Sequence, residues 1–169
     1  MLLPAVDQQP RESTDAACYQ AAVRLLAHRA RTEVEMRQRL TRKGFEAEPI
    51  TRIITRLKES KLIDDAAFAH AWSESRAFGS PRASHVIRRE LRAKGISNDT
   101  AEEAVTGLDD AEAALKAGVS RAGRLSKLPP EEARRKLGDF LRRRGFGWEV
   151  IGQTLRCLES EGFLGEVDT

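Results

Sequence analysis

The chain has 169 residues, of which 33% are charged and 40% hydrophobic, with two tryptophans, one tyrosine and six phenylalanines. That composition suits several thin apolar cores better than one large globule, and a formal net charge of +3 is small for a dedicated, tight DNA binder. The two cysteines, Cys18 and Cys157, stand too far apart in sequence for a disulfide framework or a metal spacing and point to a reducing, cytoplasmic setting; no run nears the roughly 18 apolar residues of a membrane span, and the N-terminus lacks the basic segment of a signal peptide.

Residues 1–14 read as a polar, flexible lead. A first helix is expected over 17–29. Thr32-Glu-Val-Glu35 then reads as a capping box that starts a second helix carrying Met36 and Leu40, which stops at Lys43-Gly44-Phe45. Pro49 belongs in the first turn of a third, with Ile50, Ile54 and Leu57 on one face. The pattern then recurs. A helix over 65–78 ends at Gly79 and the chain restarts at Ser80-Pro81; Ile87 and Leu91 lead to Lys94-Gly95-Ile96; Ser97 or Asn98 caps a helix with Ala101, Val105 and Leu108. It recurs once more. A helix over 109–122 ends at Gly123, the next begins near Pro129-Pro130 and carries Leu137 and Leu141 to Arg144-Gly145-Phe146, and Ile151, Leu155 and Leu158 follow. The three glycines lie 51 and 50 residues apart, a period that marks a tandem array of one supersecondary unit. Strand signals are nearly absent. The expected fold is therefore all-α, three tandem three-helix repeats at 15–60, 61–108 and 109–160, in an elongated array with an acidic tail over 161–169.

Little in this pattern supports chemistry. His28, His70 and His85 are isolated, with no Cys or His at ligand spacing, so no metal and no cofactor is expected. There is no phosphate-cradling glycine loop and no nucleophile elbow, and no catalytic residue stands out. Asp64-Asp65 directly precedes a helix and reads as an N-cap rather than an acid–base or metal pair. Phe68 and Trp72, four residues apart, read as core contacts of the middle repeat.

Basic residues are the better candidates. Residues 29–61 hold ten Lys or Arg and residues 134–144 hold six, whereas 95–115 holds none and six acids. Lys43, Lys94 and Arg144 stand in the last helical turn, where the helix dipole alone favours a cation. Arg37, Arg88, Arg89, Arg92, Arg142 and Arg143 lie on the same three helices, away from the apolar stripe, and capping does not require them there. If equivalent helices face one way in each unit, they form a discontinuous basic track suited to a polyanion or an acidic protein face.

The run from Arg31 to Phe45, the Leu62-Ile-Asp-Asp-Ala-Ala-Phe-Ala69 segment with Trp72 and Arg76, Leu91-Arg-Ala-Lys-Gly-Ile96 and Phe140-Leu-Arg-Arg-Arg-Gly-Phe146 resemble the RecX family in order and spacing, over about residues 16–160. The resemblance implies a curved array and a cytoplasmic, non-enzymatic regulator of the RecA recombinase. It implies binding to the RecA–DNA filament, at an end or in its groove, with inhibition of strand exchange and ATP hydrolysis, in the setting of DNA repair, recombination and the SOS response. It places the filament contact on Arg37, Arg42, Lys43, Arg88, Arg92, Lys94, Arg142, Arg143 and Arg144. DNA would be met weakly or through the filament, and the apolar residues absorbed by the repeat leave a monomer as the expected state. The competing expectation is an autonomous helix-turn-helix-like DNA binder, since three-helix units can act that way. Asp99, Glu102 and Glu103 on the last helix of the middle repeat weigh against it.

Overall fold

The structure, a computed structural model, describes residues 9–164, with the backbone alone for residues 9–13. Among the described residues it has nine α-helices and no strand: α1 Gln9–His28, α2 Glu33–Arg42, α3 Ala47–Glu59, α4 Asp65–Phe78, α5 Ser84–Ala93, α6 Asn98–Val105, α7 Asp110–Ala122, α8 Pro130–Arg143 and α9 Trp148–Ser160. They group into two compact units. One takes the chain up to residue 69 together with 92–100; the other takes 70–91 together with the chain from 101 onward.

In the first unit α1, α2 and α3 pack on one another. Small residues on α1, Cys18, Ala21 and Ala22, let Ile50, Ile53, Ile54 and Leu57 of α3 approach closely, and Met36 and Leu40 of α2 complete the core. Met36, Leu40 and Leu57 have no exposed surface, and each such side chain contributes about 1.5–3 kcal/mol of burial. α2 begins at Thr32, whose Oγ1 accepts the Glu35 N–H at 3.1 Å, and places Glu33 and Glu35 in its first turn and Arg39 and Arg42 in its last, in the sense its dipole favours.

The expected capping box is only half formed. The Glu35 carboxylate turns away from the Thr32 backbone and takes hydrogen bonds from Arg29 at 2.9 Å and Lys94 at 3.1 Å. Two cations draw it more strongly than one peptide N–H, because a fully charged pair is the stronger bond.

In the second unit α7, α8 and α9 pack pairwise around Leu137, Leu141, Phe146, Ile151, Leu155 and Leu158. α7 again supplies the small residues, Ala114, Ala117 and Gly118. A Cβ on Gly118 would stand 2.8 Å from Leu158, so the closeness of α7 to α9 depends on its absence. Ala83 and Val86 of the α5 N-terminus belong to this same core. Leu164 does too, behind a turn in which the Phe163 N–H bonds the Leu158 carbonyl, so part of the expected acidic tail packs inward. Residues 165–169 of that tail lie outside the described residues.

The apolar stripe falls inside in all three copies: Met36, Ile87 and Leu137, then Leu40, Leu91 and Leu141, then Ile50, Ala101 and Ile151, then Ile54, Val105 and Leu155 are buried, and in the last set Leu57 and Leu158 are buried while Leu108 is half-buried. Other expectations shift. α1 starts at Gln9 rather than near residue 17, with Pro10 in its first turn, where its missing N–H costs nothing. Of the expected lead, 9–14 are thus helical and 1–8 lie outside the described residues. Phe68 and Trp72 are half-buried rather than core: Trp72 Nε1 donates to Glu90 at 3.0 Å, and the Arg76 guanidinium lies 4.4 Å over its ring.

The two Asp-Asp pairs divide their work in the same way. Asp64 and Asp109 cap the helices they precede, Asp64 accepting the Ala67 N–H and Asp109 those of Ala111 and Glu112. Asp65 and Asp110 instead cap helices earlier in the chain, accepting the Glu33 N–H of α2 at 2.9 Å and the Ser84 N–H of α5 at 2.7 Å.

Candidate interaction surface

The basic-glycine turns share one backbone. Gly44, Gly95 and Gly145 have φ of +88°, +85° and +93°, the left-handed region that a Cβ disfavours. Their surroundings differ. Within the first unit the Lys94 carbonyl accepts the Thr32 hydroxyl at 2.7 Å, and a Cβ on Gly95 would lie 2.4 Å from Val34. Within the second the Arg144 carbonyl accepts the Ala83 N–H at 3.1 Å, and a Cβ on Gly145 would lie 2.3 Å from Val86. Around Gly44 nothing among the described residues comes within 4 Å of that position.

The basic side chains follow suit. Lys94 bonds Glu35 and lies 5.8 Å over the Phe68 ring. Arg144 donates to Ser80 Oγ and to the Pro81 carbonyl and stacks 4.5 Å over Phe140; burial first, then Arg82 and Arg121, pull its pKa below the ordinary guanidinium value. Lys43 is exposed and has no ion-pair partner among the described residues. Lys94 and Arg144 therefore hold the fold, while Lys43, in the equivalent last helical turn, faces solvent.

The six arginines also separate. Seven residues before each glycine stand Arg37, Arg88 and Gly138, and seven after it Thr51, Glu102 and Gly152. Arg37 bridges to Thr51 at 3.1 Å and to Glu33 at 3.4 Å; Arg88 pairs with Glu102. In the third copy two glycines replace that polar bridge and leave an open groove of about 490 Å³ between α8 and α9, floored by Ile151 and Leu155 and flanked by Trp148. Among the described residues Arg42, on α2, bonds only the Gln38 carbonyl of its own helix. Arg92 and Arg143 are exposed with no ion-pair partner among the described residues. Arg142 meets Asp139 at 3.5 Å and lies 5.9 Å from the Trp148 ring.

Two exposed aromatics escaped the sequence reading. Trp148 is 74% and Phe78 73% exposed, Phe78 with the Lys116 ammonium 4.8 Å from its ring. Trp148 stands three residues after Gly145, where the other copies have Ala47 and Asn98, and that break in the repeat is the signal that could have marked it. No group of three or more His, Cys, Asp or Glu among the described residues is placed to hold a metal, and none of their helices is long and apolar enough to cross a membrane.

The fold and these turns define an all-helical tandem repeat of three-helix domains. Sequence models of RecX match in order: the first three-helix domain over residues 18–57, the second over 64–105 and the third over 109–155. The regulatory protein RecX of Chlorobaculum tepidum is 35% identical over 152 residues, covering 89% of this chain and 93% of that one. Its counterpart in Chlorobium limicola is 34% identical over 148 residues, 88% of this chain and 92% of the relative. The crystal structure of RecX from Lactobacillus salivarius superposes with a TM-score of 0.74 at 24% identity over 88% of this chain and 99% of that one, which shows the common fold. The chain belongs to the RecX family of regulatory proteins.

Proposed function

We propose that this chain is a non-enzymatic regulator that binds the RecA–DNA filament and inhibits the recombinase and its ATPase, acting in the cytoplasm as a monomer. Family membership supports the regulator role. The observation that carries the contact is the division among the basic residues: some are spent inside each unit, and Arg42, Lys43, Arg92 and Arg143 are exposed with no ion-pair partner among the described residues. In the first unit the contact set is Arg37, Arg42, Lys43 and Arg92; in the second it is Arg88, Arg142 and Arg143, with Trp148 beside Arg142. Lys94 and Arg144, the remaining members of the expected contact, also support the neighbouring turns. DNA is met weakly or through the filament, since six acids and no base occupy residues 95–115.

The test is RecA's DNA-dependent ATPase. Inhibition at substoichiometric amounts is expected, and none at equal concentration would overturn the proposal. Reversing Arg88 and Arg92 together weakens inhibition with helicity intact; unchanged inhibition removes both from the contact. The helix-turn-helix reading predicts tight binding to naked DNA with a steep fall as salt rises.

A further inference from the structure

Two of the three basic-glycine turns show what fits such a turn. Each covered copy receives the N-terminus of a helix. One donor at the cap position, the Thr32 hydroxyl or the Ala83 N–H, reaches the carbonyl before the glycine. A valine in the first turn, Val34 or Val86, lies against the bare glycine face. At Lys94 a carboxylate of the docked helix, Glu35, meets the ammonium.

The α2–α3 turn is the same object without its cover. Phe45 N–H bonds the Leu40 carbonyl at 3.3 Å, as Phe146 N–H bonds Leu141. Yet Lys43 and Gly44 are exposed where Lys94, Gly95, Arg144 and Gly145 are half-buried, and Phe45 is half-buried where Ile96 and Phe146 are buried. Among the described residues no hydrogen bond reaches the Lys43 carbonyl.

We propose that Lys43-Gly44-Phe45 is the docking surface for the N-terminus of a helix on a partner protein. That helix carries a donor at its cap, a β-branched residue in its first turn and a carboxylate that meets Lys43. A second copy of this chain does not supply it. Twelve residues before the third glycine, where the other copies have Thr32 and Ala83, stands Ala133; its N–H already bonds the Pro129 carbonyl inside α8, which starts earlier, at Pro130. The inference rests on the filament reading, with the partner helix on the protein part of the filament.

The experiment compares wild type, Gly44→Asn and Lys43→Glu in the RecA ATPase assay, with helicity measured in parallel. Asparagine tolerates positive φ, and its Cβ enters open space in the free protein while it closes the docking face. The expected result is that both variants keep wild-type helicity and need about tenfold more protein for half-inhibition. If Gly44→Asn loses helicity, Lys43→Glu, whose side chain is exposed and without an ion-pair partner among the described residues, carries the test alone. Inhibition within about twofold of wild type in the folded variants overturns the docking surface and leaves the filament reading standing. A wild type that does not inhibit removes both.

Discussion

Gly44 and Gly95 end equivalent helices with nearly the same φ, but the space beside them is not equivalent. The turn at Gly95 is closed by Thr32, Val34 and Glu35; the turn at Gly44 ends in solvent. One local sequence thus serves two ends, and the difference is set by what arrives from elsewhere in the chain. The lesson for repeats is that an element used internally in most copies becomes a binding element in the copy left over.

The largest expected effect tests that difference directly. Gly95→Ala and Gly145→Ala combine left-handed strain with a Cβ pressed into valine and are expected to cost about 2–5 kcal/mol. Gly44→Ala meets only the strain, about 1–2 kcal/mol. Chemical denaturation measures both, and equal losses would erase the distinction. Thr32→Ala comes next. It removes the α2 cap and the bond to the Lys94 carbonyl, about 1–3 kcal/mol, whereas Ser97→Ala on α6 loses a cap and an exposed bond to the Thr100 hydroxyl, about 1 kcal/mol.

The carboxylates at the closed turn give a pH signature. Burial pushes Glu35 up, but hydrogen bonds and charge from Arg29 and Lys94 outweigh it and hold the carboxyl below its ordinary 4.5. A depressed folded pKa gives stability that is present above the ordinary value and is lost as pH falls through the folded one. The gap between wild type and Glu35→Gln is therefore expected at neutral pH and closes in acid below pH 4.5; a gap that widens in acid would contradict the pairing. Asp65 has the opposite sign. Burial raises it above 3.8 despite the bond from the Glu33 N–H, so its contribution is present in acid and lost as pH rises through the raised value. Asp65→Asn, which keeps a cap acceptor without the buried charge, is expected to be near neutral at pH 7, and Asp65→Ala to cost about 1 kcal/mol. The smallest effect belongs to the surface: Arg88→Ala, losing a half-exposed pair with Glu102, is expected to stay within about 0.5 kcal/mol while still weakening filament inhibition.

The helices, their stripe and the left-handed glycines were legible because helical periodicity and glycine's missing Cβ act locally. Lys43 and Lys94 could not be told apart, because their fates depend on residues more than fifty positions away or on none. Glu35 misled for the same reason: a capping box is a local reading, and Lys94 is not local. Asp65 looked like an ordinary cap, and so it is, but of another helix. Trp148 and the glycines facing the α8–α9 groove broke the repeat in plain view, yet only packing shows that the break opens a surface.

The first unit is discontinuous, completed by residues 92–100 after the chain has departed at residue 69. During synthesis, α1 to α3 emerge before Asp65, which caps α2, and well before Lys94, whose carbonyl meets the Thr32 hydroxyl and whose ammonium neutralises Glu35. About a hundred residues must therefore leave the ribosome before that unit has its full set of bonds. A nascent chain stalled near residue 60 would expose an α2 N-terminus with its socket vacant, so cutting the protein at the repeat boundaries would not yield self-sufficient pieces.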